Sequence, residues 1–490
     1  MIRWESQAKG GPLLFFFSRS QSDKKMAVIA PHIDSLGTAD KSPRKNWKAG
    51  TLSYTTAGLV VLFFWLLWGD FAWAMKDRAI PPIVQILLKK FGASDMVAAL
   101  LFGSLPPALG IFLGPIIGYK SDRHRGRWGR RIPFLLISTP IAVLGIVGLA
   151  FSPVMGRHLD KWLGPHSWGP DTCTLIILGL CWMLFEVGTV TANSVYSALI
   201  NDVVPQPLLG RFYGLFRALS LIAGIIFSFG MERNEERAYV WIFLAMGALY
   251  GIGFTIMCLK VKEGEYPPRP PMDAGRNIRG FFRTAKNYFQ ECFGNKYYWW
   301  FFGATTIAGM ASGPVNLYSI FFATSIHMDM SRYWACLKWT WCISLILAYP
   351  LGWMADRFHP LRMGIGILVL YALVMLWGGI FVRDADTFAI ALVAHGVVAG
   401  IWATSVASVG QRLLPKAEFA QFASAGGIVA NISWMLLAPV TGFFLDHVHH
   451  DYRYTFFIGF GLAMMGLLGC LVLHGKFMAL GGPSHYVAPE

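Results

Sequence analysis

Charged residues are scarce in this chain. Only 14% of its 490 residues are Asp, Glu, Lys or Arg, whereas 55% are hydrophobic and the mean hydropathy is +0.49. Soluble domains carry about 25% charged residues, so this chain has too few polar side chains to cover a surface that faces water on all sides. The deficit excludes an ordinary soluble protein and indicates a protein that lies in a membrane.

Several sequence motifs are also missing. The chain contains no CxxC pair, and most of its seven cysteines fall inside apolar runs, which is typical of small buried residues and not of a disulfide framework or a metal site. It contains no GxSxG, HExxH or phosphate-binding loop. We therefore expect neither an enzyme nor a nucleotide-driven pump, and neither a metal nor a cofactor apart from a coupling proton.

Long apolar runs fill most of the chain instead. A helix that crosses a bilayer needs about 20 mostly apolar residues. Twelve such runs lie at 55–88, 94–119, 132–152, 173–199, 211–230, 238–259, 298–324, 333–354, 362–382, 387–409, 421–444 and 453–474. The sequence therefore predicts an all-α membrane protein with twelve transmembrane helices, named spans 1 to 12 below, the first of them kinked by Pro81 and Pro82.

The net charge of +15 is concentrated in loops between these runs, above all at 120–131 and 261–297. An excess of Lys and Arg marks cytoplasmic loops, so we expect both termini on the cytoplasmic side of a cell membrane and no nucleic-acid partner. The predicted organisation is a disordered tail at 1–50, a six-helix bundle at 51–260, a central loop at 261–297, a second six-helix bundle at 298–476 and a tail at 477–490.

The central loop has helical periodicity in part of its length. Apolar side chains recur at 278, 281, 282, 285, 288, 289 and 292, with basic residues at 276, 279, 283 and 286 between them. This pattern predicts a basic amphipathic helix on the inner membrane face. A linker helix packed on the protein is the alternative.

The two halves of the chain repeat a motif in the loop after span 2. Gly118, Asp122 and Arg123 recur 234 residues later as Gly352, Asp356 and Arg357. An Asp–Arg pair that breaks when two halves rock can latch one conformation, so we assign this role to those six residues together with Arg130 and Arg131. The alternative is that the arginines only set the topology, and both can hold. Two facing six-span repeats place a binding site between the halves.

The stretch Gly118–Arg131 reads GYKSDRHRGRWGRR and resembles the loop motif of the major facilitator superfamily. Its longer form, Ser121–Phe134, is similar to sucrose transporters, to their animal proton–sugar relatives and to glycoside–pentoside–hexuronide:cation symporters. Span 1 supports this resemblance with a pattern typical of sucrose transporters, here Phe71, Trp73, Ala74, Pro82, Val84, Gln85 and Leu87. The resemblance implies a monomeric symporter that carries a sugar with a proton by alternating access.

Glu186 in span 4 is the first candidate for proton coupling. A charged group at the centre of a membrane helix costs about 2.5–3.5 kcal/mol, and desolvation favours a carboxyl that holds its proton. The resemblance implies the same role, since sucrose transporters carry an acid sixteen residues before an Asp, as Glu186 and Asp202 do. Ser197 stands where that family has an arginine. Residues 109–118 contain no acid, which favours protons over sodium.

Span 1 supplies candidates for substrate binding. Asp70, Trp73 and Asp77 share one helical face, where carboxylates can accept sugar hydroxyl protons and an aromatic ring can pack on sugar C–H surfaces. Asp70 is also the second candidate for proton coupling. The alternative is a cluster neutralised by Lys76 and Arg78 that only holds helices together. Further polar candidates in apolar runs, for substrate contact or for helix–helix hydrogen bonds, are Asn193, Tyr196, Asn316 and His395.

The predicted function is therefore secondary active transport, with proton-coupled symport of a sugar or glycoside as the leading interpretation. An uncoupled sugar facilitator and a transporter of an acidic sugar or other small solute remain alternatives, the second because Lys76 and Arg78 lie beside the candidate site. A transporter-like sensor is the least favoured interpretation.

Overall fold

A computed structural model of the chain describes residues 47–205, 208–231, 239–265, 289–415 and 419–489. The predicted tail lies outside these residues up to position 46. The predicted amphipathic helix lies outside them from 276 to 288, and only its last residues are described. Cys292, at that end, is fully buried against Tyr298 and Phe302 at the start of the second bundle, so this part of the linker packs on protein.

Helices form almost all of the described chain. The spans are Thr56–Lys90, then Asp95–Ala99 continued by a π-helical turn at Leu100–Ser104 and by Leu105–Arg123, then Ile132–Leu163, Pro170–Val203, Leu209–Met231 and Tyr239–Lys260. The second half consists of Lys296–Met310 with Gly313–Ser325, Met330–Phe358, Pro360–Phe381, Ala385–Val406 with Val409–Leu413, Phe419–His447 and Arg453–Ala479.

Ten of these helices are long and apolar enough, among the described residues, to cross a membrane. The other two predicted spans are present in a different form. Span 7 is divided at Ala311 and Ser312 into helices of 15 and 13 residues. Span 8 has 29 residues but carries Lys338 and several tryptophans, which lower its hydropathy. The predicted all-α architecture of twelve transmembrane helices is confirmed.

Three segments differ from the sequence-based expectation. Span 3 continues to Leu163, so the predicted loop at 153–172 is mostly helix. Residues Trp47–Ala49, predicted as tail, pair with Leu52–Tyr54 in a short antiparallel hairpin. The predicted C-terminal tail contains a helix at Gly482–His485, and the Tyr486 hydroxyl donates to the Leu413 carbonyl oxygen over 2.7 Å. Local pairing and aromatic contacts thus order segments whose composition alone indicates flexibility.

The helix contacts repeat between the two halves. Span 1 packs on span 6, span 2 on span 4, and span 3 on both span 4 and span 6, and the equivalent pairs 7–12, 8–10, 9–10 and 9–12 recur in the second half. Glycines allow the closest of these approaches. A Cβ added at Gly145 would lie 2.5 Å from the Phe185 backbone nitrogen, and one at Gly188 would lie 2.5 Å from the Ala142 nitrogen. Small residues of this kind let membrane helices meet backbone to backbone.

The described ends of the chain lie on one face of the molecule, which we call the terminal face. There Thr51 is hydrogen-bonded to Glu265, and Pro489 is hydrogen-bonded to Tyr298. At the opposite, distal face, span 2 begins against the end of span 11. The Asp446 carboxylate accepts from the backbone N–H groups of Asp95 and Met96 over 3.0 and 3.1 Å.

The Asp95 carboxylate completes this distal junction. It accepts from the Tyr452 hydroxyl over 2.8 Å and lies 2.6 Å from His450 Nδ1. Lys89 donates to the same Tyr452 hydroxyl over 3.0 Å. Five polar groups from both halves therefore satisfy one another where the halves meet.

Deeper contacts between the halves also lie on the distal side of the bundle. The Ser104 hydroxyl donates to the Met435 carbonyl over 2.9 Å, and the rings of Phe227 and Trp334 meet at 5.5 Å. Towards the terminal face, a Cβ added at Gly118 would meet nothing within 4 Å. We infer that the described conformation is closed at the distal face.

We expect Asp446→Ala to open the distal face. The change removes the acceptor of two backbone N–H groups of span 2, and each lost hydrogen bond costs about 1 kcal/mol, which corresponds to about tenfold or more in the population of the open state. A cysteine introduced at Ser104 in a cysteine-free background should then react faster with a membrane-impermeant maleimide. Asp171→Ala, an exposed acid at the start of span 4, is the matched control. Equal labelling rates in both variants would contradict the assignment.

Candidate functional site

A cavity of about 470 Å³ lies between the two halves. Spans 1, 2 and 4 form most of its wall, and Asn431 of span 11 contributes from the second half. Its polar groups come from Asp77, Glu186, Thr189, Asn193, Ser194 and Asn431, and its apolar surface comes mainly from Trp73, Pro106 and Pro107. The volume suits a small solute, and the lining offers both an aromatic face and hydrogen-bonding groups.

Helical spacing brings the polar lining together. Trp73 and Asp77 are four residues apart on span 1, and Glu186, Thr189 and Asn193 follow at intervals of three and four residues on span 4. Residues at these spacings share one face of a helix. Span 4 therefore presents a continuous polar stripe to the cavity, and span 1 presents one aromatic ring and one carboxylate.

Lys76 connects span 1 to span 4 beside the cavity lining. Its side chain is fully buried, and its ammonium nitrogen lies 2.6 Å from Asp77 Oδ1 and 3.3 Å from Thr189 Oγ1. The nitrogen also lies 4.1 Å from the centroid of the Trp73 ring, a cation–π contact. The Asp77 side chain is 46% exposed, so this carboxylate is paired with Lys76 and also reaches the cavity.

Glu186 opens onto the cavity without a hydrogen bond. Its carboxyl group is 7% exposed and, among the described residues, makes no hydrogen bond. Lys76 and Asp77 both interact with it electrostatically and with opposite effect. A carboxyl group in this position can exchange a proton with the cavity, and its charge is felt by the Lys76–Asp77 pair.

Asp70 and Tyr196 lie behind the wall instead of on it. Asp70 is 1% exposed, and within the described structure its Oδ2 atom finds no hydrogen-bond partner. Tyr196 is 2% exposed, donates to the Leu66 carbonyl over 2.7 Å and stacks on Trp73 with ring centroids 6.4 Å apart. Neither residue lines the cavity in this conformation, and Tyr196 contacts Trp73, which does.

Asn316 and His395 form a separate cluster in the second half. His395 is 1% exposed, and its two ring nitrogens lie 2.7 Å from the Tyr371 hydroxyl and 3.0 Å from Asn316 Oδ1. The three side chains link spans 7, 9 and 10, away from the cavity lining. Asn431 lines the cavity but is not among the residues predicted from the sequence. Like Asn193 and Asn316, it is an amide in an apolar run.

Two of the predicted latch residues, Arg130 and Arg131, lie together at the terminal face. Arg130 and Arg131 both pair with Asp202 at the end of span 4, over 2.6 and 3.2 Å. The Glu263 carboxylate accepts from the backbone N–H groups of residues 130 to 132 and so caps the start of span 3. Asp202 thus belongs to this arginine cluster and not to the surroundings of Glu186, despite the spacing of the two acids.

The other predicted latch positions lie on helix ends. Asp122 and Arg123 end span 2, and Gly352 and Asp356 lie in the last turns of span 8. Arg357 stacks on Trp353 with 5.4 Å between the guanidinium carbon and the ring centroid. A Cβ added at Gly118 would meet nothing within 4 Å in this conformation, in which the described inter-half contacts lie on the distal side.

Comparison with known proteins identifies the family. The sequence profile described as MFS/sugar transport protein matches residues 67–445. Proton-associated sugar transporter A of Homo sapiens is 26% identical over 216 residues, which are 42% of this chain and 27% of that protein. A sucrose transport protein of Oryza sativa subsp. indica is 32% identical over 168 residues, which are 32% of this chain and 30% of that protein. The chain thus matches about a third or less of these relatives' lengths.

Solved structures show the same fold at low identity. A D-xylose–proton symporter has a TM-score of 0.59 and 14% identity, with 85% of this chain and 96% of the other covered. A bacterial homologue of the human lysosomal transporter Spinster, in an inward-facing conformation, has a TM-score of 0.62 and 13% identity, with 88% and 98% covered. The predicted major facilitator fold and the expectation of a transporter instead of an enzyme are confirmed. Because the family profile covers most of the chain, this protein belongs to the MFS/sugar transport protein family.

Proposed function

We propose that this protein is a secondary active transporter that carries a sugar or glycoside together with a proton by alternating access. The observation that supports this most directly is the inter-half cavity onto which the Glu186 carboxyl opens, beside Trp73 and Asp77. The names of two relatives, a proton-associated sugar transporter and a sucrose transport protein, point to the same cargo class.

The cavity walls suit a sugar. The Trp73 ring supplies a flat apolar surface for sugar C–H groups. Asp77 accepts hydroxyl protons, and the amides of Asn193 and Asn431 can both donate and accept. Because Asn431 belongs to the second half, a bound sugar would bridge the halves and favour their closure around it.

Glu186 carries the coupled proton in this proposal. The protonated carboxyl adds no charge to a cavity in the membrane interior, whereas the carboxylate there competes with Asp77 for Lys76. Loading with proton and sugar lets the terminal face close and the distal junction at Asp95 and Asp446 separate. We place both termini in the cytoplasm and the protein in a cell membrane, so that uptake starts at the distal face.

We expect Glu186→Gln to separate exchange from accumulation. Glutamine keeps the shape of the protonated side chain but cannot release a proton. Proteoliposomes with this variant should exchange labelled sugar for unlabelled sugar at close to the wild-type rate, because that half-cycle needs no proton release. They should not concentrate sugar under an imposed pH gradient.

The matched control for this test is Asp171→Asn, which removes an exposed acid from the same helix and should accumulate sugar normally. Accumulation by Glu186→Gln at the control level would move the coupling site elsewhere, with Asp70 as the next candidate. Wild-type protein that exchanges sugar but never accumulates it would identify an uncoupled facilitator.

We expect Asn193→Ala to weaken sugar binding to the purified protein. Its amide lines the cavity, and the loss of one hydrogen bond costs about 0.5–1.5 kcal/mol, or about twofold to twelvefold in Kd. Titration calorimetry measures the change, and Asn201→Ala, at the exposed end of the same span, is the control. Unchanged affinity in Asn193→Ala would remove this residue from the binding site.

A further inference from the structure

A groove of about 470 Å³ lies on the outer surface of the second half, between spans 7 and 12. Its volume falls within the range of about 300–1,000 Å³ that is usual for sites of small ligands. Apolar and aromatic side chains and glycines form its walls, among them Trp300, Gly303 and Ile307 of span 7 and Leu468, Gly469 and Val472 of span 12. The groove therefore offers contact surface for hydrocarbon and no set of polar groups for a sugar.

Two glycines give the groove its shape. A Cβ added at Gly469 would lie 3.0 Å from the Ala304 Cβ atom, so the two helices approach closely there. A Cβ added at Gly303 would meet nothing within 4 Å, which means that the protein does not fill the space beside this residue. The neighbouring side chains of Met465 and Leu468 are exposed. Exposed apolar side chains on a membrane helix contact lipid tails, and lipid therefore reaches the groove.

Two tryptophans mark the depth of the groove in the membrane. Trp299 and Trp300 lie in the first turn of span 7 and are both exposed. The Trp299 ring nitrogen donates to the Phe293 carbonyl over 2.8 Å, which fixes the position of this ring. Exposed tryptophans are enriched at the level of the lipid headgroups. The end of the groove nearest the terminal face therefore lies at the membrane–water interface, and the remainder lies beside the acyl chains.

Two lysines continue the groove walls towards the terminal face. Lys296 lies seven residues before Gly303 on span 7, and Lys476 lies seven residues after Gly469 on span 12. Seven residues are about two helical turns, so each lysine lies on the face of its helix that lines the groove. Lysine side chains in such places extend along apolar surface and keep the ammonium group at the interface. An apolar groove thus ends at two cationic groups.

Negative charge from the protein does not occupy these lysines. Across the described residues, neither Lys296 nor Lys476 forms an ion pair. Glu291, the acid five residues before Lys296, is hydrogen-bonded to Gln421 of span 11 over 2.7 Å. Both ammonium groups are therefore available to an anion outside the protein.

We propose that the groove between spans 7 and 12 binds an anionic phospholipid from the leaflet at the terminal face. One acyl chain lies in the groove beside Gly303, and the phosphate pairs with Lys296 and Lys476. The proposed topology places this leaflet on the cytoplasmic side of a cell membrane, where anionic lipids are abundant and attract lysines close to the membrane surface. A zwitterionic lipid fills the groove equally well but brings no net charge to the two lysines.

This lipid site is separate from the transport cavity. Both of its walls belong to the second half, and none of its lining residues lines the cavity at Glu186 or takes part in the distal junction. Movement of one half against the other therefore leaves the lipid in place. A lipid that binds the folded protein and not the unfolded chain stabilises the fold, so the site holds spans 7 and 12 together independently of the cargo.

Lipid binding to the full chain tests this assignment. The purified protein is delipidated in detergent and titrated separately with palmitoyl-oleoyl phosphatidylglycerol and with the phosphatidylcholine of identical acyl chains, and native mass spectrometry counts the bound lipid. We expect phosphatidylglycerol to bind at least about tenfold more tightly at one site, because each lysine beside an anionic headgroup contributes about fivefold. Phosphatidylglycerol should also raise the temperature of unfolding more than phosphatidylcholine does.

Two kinds of substitution separate the headgroup from the groove. The double variant Lys296→Gln/Lys476→Gln should reduce the preference for phosphatidylglycerol to about twofold or less, because it removes both cationic groups. Gly303→Leu should weaken binding of phosphatidylglycerol by about tenfold, because the new side chain enters the space that the acyl chain needs and meets no protein atom there.

Each substitution has a matched control on another span. Lys260→Gln removes an exposed lysine at the terminal end of span 6, and Gly366→Leu adds a side chain at an exposed, open glycine of span 9. Both should bind phosphatidylglycerol like the wild type. Equal affinity of the wild type for the two lipids, or a preference that survives the loss of both lysines, overturns the headgroup site. Unchanged binding by Gly303→Leu overturns the assignment of the groove.

Discussion

The centre of this molecule depends on one ion pair, in which the buried ammonium group of Lys76 meets the half-exposed carboxylate of Asp77. Moving an ammonium group into a low-dielectric interior costs several kcal/mol unless a counter-charge and hydrogen bonds compensate it. Asp77, Thr189 and the Trp73 ring supply that compensation at 2.6, 3.3 and 4.1 Å. The pair thereby fixes the ring that forms one wall of the cavity, ties span 1 to span 4, and leaves Glu186 as the lining carboxyl without a hydrogen bond among the described residues.

The sequence predicts what is local in this structure. Apolar runs of about 20 residues identify the spans, and the repeated Gly-Asp-Arg motif identifies the two halves. Helical spacing alone places Trp73 and Asp77 on one face and Glu186 and Asn193 on another. It does not show which part of that face is covered: Asp70, two turns from Asp77, is 1% exposed, whereas Trp73 and Asp77 line the cavity.

Spacing can also mislead where tertiary partners compete. Glu186 and Asp202 lie sixteen residues apart as in the sucrose transporters, yet Asp202 forms ion pairs with two arginines from the loop before span 3. The same cluster includes Glu263 from the chain after span 6. These contacts stay within the first half and make it one body at the terminal face, whereas the distal hydrogen bonds of Asp95 and Asp446 cross between halves. Motion of one half against the other therefore breaks the distal set and leaves the terminal cluster intact.

In the proposed transport cycle, the terminal and distal faces both respond to the charge at the centre of the molecule. A proton on Glu186 removes one negative charge at a place where low dielectric strengthens every remaining interaction. In the proposed function, Lys76 then attracts a cargo group more strongly, and Asn431 of the opposite half lines the same cavity. In the proposed function, a proton that changes the charge on one wall thereby alters how strongly the cargo joins that wall to the opposite half, and proton-coupled transport needs such a connection.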